Sequence, residues 1–311
     1  MSLKVVNLSK RFGDKWVLRD ISLEVPDGEV FGIVGAAGAG KTTLLRAIKG
    51  AIPVNGGEIS IGSTLRPVTY SETDPNIPIW NRLFGKKSSD ESRLRDLIAL
   101  IDSARGLLLI DDPYGRLEPI ARETVVSAIL RARERGLTVI FATRDFEQVL
   151  AVCDRAAVLA GTELKQTGTP QELYENPGSR LVAVTTGRCN LFLARRLSSS
   201  KAGIPEFHTI EGGHRLFARS VERSTLGAIH QNVTLGIRPE HISISFGASF
   251  PADNLMRATI AGVRFLGPTT LIHLDSNGLG LQALVLRLVG LNVNDECVVG
   301  LPIDKIHIFR D

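Results

Sequence analysis

Long apolar runs and cysteines are scarce in this sequence. No apolar stretch reaches the roughly 18 residues that a membrane-spanning helix requires, and residues 1–4 do not open an apolar signal segment. The three cysteines, Cys153, Cys189 and Cys297, are widely spaced and odd in number, which argues against a disulfide framework and against a metal cluster. We therefore expect a cytosolic protein with reduced, mostly buried cysteines.

An excess of either charge is also missing. Lysine and arginine number 37 against 33 aspartates and glutamates, the formal net charge is +4, and the two signs are interspersed. A basic stripe is therefore not indicated, and we expect no nucleic-acid partner. With 311 residues, 43% of them hydrophobic, the chain is long enough to form two hydrophobic cores.

A complete phosphate-binding pattern is present at residues 35–43. Gly35, Gly40, Lys41 and Thr42 fit G-x-x-x-x-G-K-[ST], between an apolar run at residues 30–34 that predicts a strand and a predicted helix at residues 43–48. Glycines let backbone N–H groups point at phosphate oxygens, while the lysine adds a positive charge and the threonine a hydroxyl for Mg²⁺. The pattern predicts a nucleoside triphosphate site; a plain glycine-rich turn is the alternative.

Strand and helix patterns alternate along the first part of the chain. A fully apolar run at residues 106–110 ends at Asp111 and indicates a parallel strand that is buried on both faces. Further predictions are a helix at residues 122–135, a strand at residues 137–143, and a capping box formed by Thr169 and Glu172. This alternation predicts an α/β nucleotide-binding domain, which we assign to residues 1–190.

The composition changes near residue 190. Residues 198–203 indicate a linker or loop, and short strand-like runs follow it, at residues 233–237, 242–245, 271–274 and 297–301. We therefore predict a second, mostly β domain at residues 191–311.

Several segments together resemble the ATP-binding subunits of ABC importers, in the branch with a C-terminal regulatory domain exemplified by the maltose importer ATPase. The matching segments are residues 8–13, the phosphate-binding loop, and residues 154–159, 168–177 and 235–241. The resemblance implies an α/β P-loop NTPase fold, that is, a RecA-like ABC nucleotide-binding domain, followed by an OB-like TOBE domain. It also implies a second ABC ATPase subunit and membrane permease subunits as partners, and a peripheral location on the inner face of the membrane.

The resemblance also assigns roles to individual residues. Phe12 takes the position of an aromatic ring that contacts adenine, although a core aromatic is the alternative. Thr42 and Asp111 would bind Mg²⁺, Asp112 stands where the family has its catalytic glutamate, and Arg144 replaces the histidine that contacts the γ-phosphate. The ATP-binding residues are then Phe12, Gly35, Ala36, Ala37, Gly38, Ala39, Gly40, Lys41, Thr42 and Thr43.

Several family motifs are absent. No Gly-Gly pair, and so no Leu-Ser-Gly-Gly-Gln signature, occurs between Gly57 and Asp111. The counterpart of the signature would be residues 87–91. The two acidic groups in this segment would repel the γ-phosphate of ATP on a partner. Alternatively, the segment forms a polar helix cap. The glutamine that links ATP to the membrane subunits is missing because no glutamine precedes Gln148, and Ser71 takes its place. No histidine precedes His208, and Gly115-Arg-Leu-Glu118 replaces a Ser-x-Leu-Asp loop.

The region that bears the signature is also short. Lys41 and Asp111 are only 70 positions apart, which predicts a reduced helical subdomain and places standard docking to membrane subunits in doubt. Residues 90–101 could still form one helix, with leucines and isoleucines on one face.

Three functions are compatible with these features. The first is a degenerate ATP-binding subunit that pairs with a complete ATPase subunit in an importer for a sugar, polyol or glycerol-type solute. The alternative is an ATP-sensing regulatory protein that does not drive transport. The third is an active importer ATPase in which Asp112 acts as the base and Arg144 as the stabilising group.

Overall fold

The computed structural model describes residues 3–62, 67–71, 90–113, 117–201, 203–219, 226, 228–246, 253–286 and 290–310. The chain divides into two compact units, Met1–Glu175 and Asn176–Asp311. This division precedes the predicted domain boundary at residue 190. The helix at residues 180–186 accounts for part of the difference, because Arg238 of the second unit donates hydrogen bonds to it.

The first unit combines strands and helices in alternation. Its strands are β1 (Leu3–Phe12), β2 (Lys15–Val25), β3 (Val30–Val34), β4 (Gly56–Ile61), β5 (Val68–Ser71), β6 (Leu107–Asp111), β7 (Thr138–Thr143), β8 (Arg155–Ala160) and β9 (Glu163–Gly168). Its helices are α1 (Lys41–Ile48), α2 (Asp90–Ser103), α3 (Pro119–Glu134), α4 (Phe146–Val152) and α5 (Pro170–Glu175).

A six-stranded sheet forms the centre of this unit. Its strand order is β5-β6-β7-β3-β8-β9, and all neighbouring pairs are parallel except β8 with β9. Every residue of β3 and β7 is buried, as expected for apolar strands covered on both faces. Because the strands are parallel, the carboxyl ends of β3, β6 and β7 lie at the same edge of the sheet. The predicted α/β class is confirmed.

A smaller antiparallel sheet packs beside it, in the order β2-β1-β4. In β2 the buried residues Ile21, Leu23 and Val25 alternate with exposed ones, as expected for a strand with one face in the core. These side chains share one hydrophobic core with Leu44 and Ile48 of α1. The helix that begins at the phosphate-binding loop is therefore fixed between two sheets.

The other predicted helices are present. In α2, Leu97 and Ile101 are buried, and Arg135 donates a hydrogen bond of 3.0 Å to the carbonyl oxygen of Ile101. Helix α3 begins one turn earlier than predicted because Pro119 occupies its first position, where no N–H bond is required. Residues 87–89 of the expected signature counterpart, and residues 115–116 of the loop before α3, lie outside the described residues.

The predicted capping box at the start of α5 is confirmed. The backbone N–H of Thr169 donates to the Glu172 carboxylate at 2.9 Å, and the N–H of Glu172 donates to the Thr169 hydroxyl at 3.2 Å. Each side chain thus satisfies one backbone donor that the helix start would leave unpaired.

The second unit is mostly β. It contains helix α6 (Arg180–Thr186) and strands β10 (Asn190–Leu197), β11 (Glu206–Thr209), β12 (Arg215–Phe217), β13 (Asn232–Ile237), β14 (Ser243–Ser245), β15 (Asp253–Phe265), β16 (Thr269–Ser276), β17 (Leu279–Leu286), β18 (Glu296–Pro302) and β19 (His307–Phe309). Short 3-10 helices span Pro239–His241 and Ile303–Lys305.

These strands form two antiparallel five-stranded sheets, with the orders β12-β11-β10-β13-β19 and β14-β18-β15-β16-β17. Apolar side chains of both sheets enclose one core, among them Phe192, Leu235, Ile260, Leu274 and Val299. The predicted mostly β domain is therefore confirmed. Three of the four short runs named from the sequence lie within its strands, and the run at residues 242–245 overlaps β14 at Ser243–Ser245.

Candidate nucleotide-binding site

The phosphate-binding loop connects β3 to α1 at the carboxyl edge of the sheet. Its close packing requires glycine at Gly35, where a Cβ atom would clash with the carbonyl oxygen of Leu159 in the neighbouring strand β8. Gly40 has φ of 104° and caps α1 without a side-chain hydrogen bond. The first turn of α1 therefore presents its backbone N–H groups at the end of the helix that favours anions.

Lys41 lies at the centre of the site. Its ammonium group donates hydrogen bonds to the carbonyl oxygens of Gly35 at 2.7 Å and of Ala36 at 2.9 Å. Burial lowers the pKa of Lys41, Asp111 and Asp112 act to raise it, and Arg144 adds to the lowering. These four side chains are thus close enough to interact electrostatically, although they come from three different segments of the chain.

Asp111 and Thr42 form the candidate Mg²⁺ site. The Thr42 hydroxyl hydrogen-bonds to the Asp111 carboxylate. Burial raises the pKa of Asp111 and so does Asp112, whereas Thr42, Lys41 and Arg46 lower it. Carboxylate and hydroxyl oxygens are hard ligands, and Mg²⁺ commonly binds through one or two carboxylates together with phosphate oxygens. The donor set fits that ion.

Asp112, the residue that the resemblance predicts in place of the family's catalytic glutamate, is paired with Arg144. Its backbone has φ of 54°, and its N–H donates to the carbonyl oxygen of Ala142 in β7 at 2.9 Å. The Asp112 carboxylate lies 3.5 Å from a guanidinium nitrogen of Arg144, and the two side chains are 34% and 64% exposed, respectively. The carboxylate therefore faces a permanent positive charge.

Phe12 lies at the end of β1 and is 53% exposed. The interpretation of this residue as a core aromatic is therefore wrong. The ammonium of Lys10 lies 4.8 Å from the centroid of its ring. An exposed ring of this kind offers a surface on which a nucleobase could stack.

Ser71, the residue predicted to replace the family's glutamine, is the last residue of β5. In the parallel register it is paired with Asp111 of β6. The backbone of Ser71 thus runs beside that of Asp111, the candidate Mg²⁺ ligand.

Sequence reasoning missed a polar network around Arg144. The Thr143 hydroxyl donates to the side-chain oxygen of Gln148 at 2.5 Å and accepts from the N–H of Asp145 at 3.1 Å. The one available signal was the spacing of Asp145 and Gln148, which is that of a capping box. The side chain of Gln148 bonds to Thr143 instead, and this pairing is not predictable from the spacing.

Two families match the chain. The ABC transporter family matches residues 18–77, which include the phosphate-binding loop, and the TOBE domain family matches residues 235–309 in the second unit. A P-loop nucleotide-binding domain is thus followed by a strand-rich domain of a defined family.

Curated relatives span almost the whole chain. The sulfoquinovosyl glycerol transport ATP-binding protein SmoE of Agrobacterium fabrum is 25% identical, with 99% of this chain and 97% of that protein covered. The maltose/maltodextrin import ATP-binding protein MalK of Mannheimia succiniciproducens is 26% identical, with 98% and 94% covered. The spermidine/putrescine import ATP-binding protein PotA of Fusobacterium nucleatum is 28% identical, with 82% and 80% covered.

These findings confirm the predicted resemblance: the chain is similar to ATP-binding subunits of ABC importers, and it matches the ABC transporter and TOBE domain families in the expected order. The alignment with the Agrobacterium protein spans 356 positions, whereas 99% of this chain is about 308 residues, so about 48 aligned positions have no residue of this chain. Within the described parts of the chain, no helix is long and apolar enough to span a membrane.

Proposed function

We propose that this chain is an importer subunit that binds ATP with Mg²⁺ but depends on a second, complete ATPase subunit for hydrolysis. The observation that carries the proposal is the ion pair between Asp112 and Arg144 beside an intact phosphate-binding loop. Asp112 is one methylene shorter than the glutamate that the family has at this position, and a catalytic group misplaced by about 1 Å can lose about 100-fold in rate.

The phosphate-binding residues are Gly35, Ala36, Ala37, Gly38, Ala39, Gly40, Lys41, Thr42 and Thr43, with Phe12 stacking against adenine. Lys41 would exchange its bonds to the loop carbonyls for bonds to phosphate oxygens. Thr42 and Asp111 would hold Mg²⁺, which supplies charge neutralisation at the phosphates when bound. In the sequence, Asp112 occupies the position of the family's catalytic glutamate, and Arg144 occupies that of the histidine that contacts the γ-phosphate.

The missing motifs support an asymmetric pair. A partner with an intact signature would complete the nucleotide site on this chain, whereas this chain has no such signature to offer in return. The short spacing between Lys41 and Asp111 supports a reduced helical subdomain. Membrane permease subunits would hold the pair at the inner face of the membrane.

The transported solute is proposed to be a sugar, polyol or glycerol derivative. The names of the Agrobacterium and Mannheimia relatives support this class, although other relatives are named for polyamines and for iron. Selectivity resides in other subunits, so the solute must be identified by transport measurements with the complete importer.

The decisive experiment compares ATP binding and hydrolysis by the isolated chain and by the chain combined with its importer subunits. For the isolated chain we expect ATP binding without turnover. Lys41→Ala removes charge-assisted bonds to phosphate and should weaken binding about 10- to 100-fold. The matched control is Lys4→Ala, an exposed lysine at the far end of β1, which should bind ATP normally.

Three other outcomes would contradict the proposal. Turnover by the isolated chain that Lys41→Ala abolishes would identify an active ATPase. ATP binding without any association with permease or ATPase subunits would favour the ATP-sensing regulator. Absence of ATP binding would exclude all three nucleotide-dependent functions.

A further inference from the structure

We propose that Gln148 is a positioning residue that holds Arg144 where it reads the γ-phosphate, so that this site prefers ATP to ADP. The inference rests on the proposed ATP binding. It adds a residue outside the phosphate-binding motif and assigns it a role in the choice between two nucleotides.

The geometry around Arg144 is fixed from both sides. Before it, the Thr143 hydroxyl donates to the Gln148 side-chain oxygen at 2.5 Å and accepts from the backbone N–H of Asp145 at 3.1 Å. After it, the Asp145 carboxylate accepts from the N–H of Glu147 at 3.0 Å and from the Gln148 amide at 3.4 Å. Gln148 therefore contacts both residues that flank Arg144.

Gln148 is diverted from the role that its position predicts. In a capping box the side chain three residues after the cap accepts from the backbone N–H of the cap residue. Here the N–H of Asp145 is bound by Thr143, and Gln148 accepts from the Thr143 hydroxyl. Gln148 thus ties the end of β7 to the first turn of α4 across Arg144.

The same segment is attached to the phosphate-binding loop. The backbone N–H of Gly35 donates to the carbonyl oxygen of Thr143 at 3.3 Å. The position of Arg144 relative to the phosphates is therefore set by a residue that contacts both the loop and Gln148.

Arg144 needs such support because its own side chain is 64% exposed. A long exposed side chain is costly to order, and restricting its backbone reduces that cost. Its electrostatic influence reaches Lys41, and its guanidinium faces Asp112 at the carboxyl edge of the sheet. A planar guanidinium suits a phosphate group, and ATP differs from ADP by one such group. A well-positioned Arg144 would therefore strengthen ATP binding more than ADP binding.

The test measures the dissociation constants of ATP and of ADP, each with Mg²⁺, by calorimetry on the full chain. We expect wild type to prefer ATP, and Arg144→Ala to reduce that preference about tenfold. Gln148→Leu should reduce it about three- to tenfold while leaving the ADP constant unchanged. The double variant, Arg144→Ala with Gln148→Leu, should have the same ATP preference as Arg144→Ala alone, because Gln148 acts through Arg144.

Two further variants separate positioning from folding. Thr143→Val removes the hydroxyl with little change in volume and should lower the preference as Gln148→Leu does, whereas Thr143→Ser should keep it. Val149→Ala serves as a structural control, since Val149 is fully buried in the same helix. It should lower the melting temperature without changing the ratio of the two dissociation constants.

A normal ATP preference in both Gln148→Leu and Thr143→Val would overturn the inference and leave the proposed ATP binding intact. An additional loss on adding Gln148→Leu to Arg144→Ala would also overturn it, because Gln148 would then act elsewhere. If wild type bound neither nucleotide, the proposed function itself would fail. Should Gln148→Leu not fold, the contrast between Thr143→Val and Thr143→Ser decides.

Discussion

Replacing Asp112 by asparagine is expected to strengthen ATP binding rather than to abolish turnover. The carboxylate lies 3.5 Å from the Arg144 guanidinium, and the side chains are 34% and 64% exposed. Asparagine has almost the same shape but no charge. It would release Arg144 from its ion pair and remove a negative charge beside the phosphates.

The size of the effect follows from the exposure of the pair. Ion pairs that are largely exposed contribute about 0.2–1 kcal/mol, because water and salt screen them. Releasing Arg144 should therefore tighten ATP binding about 1.5- to 5-fold. The free energy of unfolding should fall by no more than about 1 kcal/mol for the same reason.

Calorimetric titration with ATP and Mg²⁺ measures the affinity, and urea unfolding measures the stability. Asp102→Asn is the matched control, because Asp102 also faces arginines, Arg131 and Arg135, but lies at the end of α2 outside the site. It should leave ATP affinity unchanged. Weaker ATP binding by Asp112→Asn, or loss of a turnover measured for wild type, would refute the reasoning and indicate that Asp112 binds Mg²⁺ or acts as a base.

Three further predictions concern other residues. Arg238→Met should lower the free energy of unfolding of the second unit, measured in urea, by at least about 3 kcal/mol. The reason is that the fully buried Arg238 donates hydrogen bonds to the carbonyl oxygens of Ala183 and Arg188 and to the Thr186 hydroxyl. A loss below about 1 kcal/mol would contradict this prediction. Burial raises the pKa of Asp111, so the folded chain binds more protons there than the unfolded chain, and stability should fall as the pH rises from the ordinary aspartate value through the raised one. Asp111→Asn should remove that decline in pH-dependent melting curves and abolish the effect of Mg²⁺ on ATP affinity; an unchanged decline would exclude Asp111 as its source. Glu172→Ala should cost about 0.5–2 kcal/mol in thermal unfolding through loss of the capping box, and a neutral result would show that its bond to Thr169 is not stabilising.

Much of the fold was predictable because its signals are local. The apolar strands β3, β6 and β7, the glycines of the phosphate-binding loop and the capping box of α5 each depend on residues close in sequence. The boundary between the two units was not predictable from the sequence, because Arg238 donates hydrogen bonds to a helix that lies more than fifty positions earlier in the chain. Contacts of this length have no local pattern.

The sequence by itself determined which groups are available: a complete phosphate-binding loop, no early glutamine or histidine, and Asp112 and Arg144 where the family has a glutamate and a histidine. Only the tertiary structure decided how these groups are combined. Asp112 follows β6 and Arg144 follows β7, and these neighbouring parallel strands place the two charges side by side. The tertiary structure also set the hydrogen-bond partner of Gln148 and the exposure of the Phe12 ring, because packing and competition for hydrogen bonds determine where a side chain points.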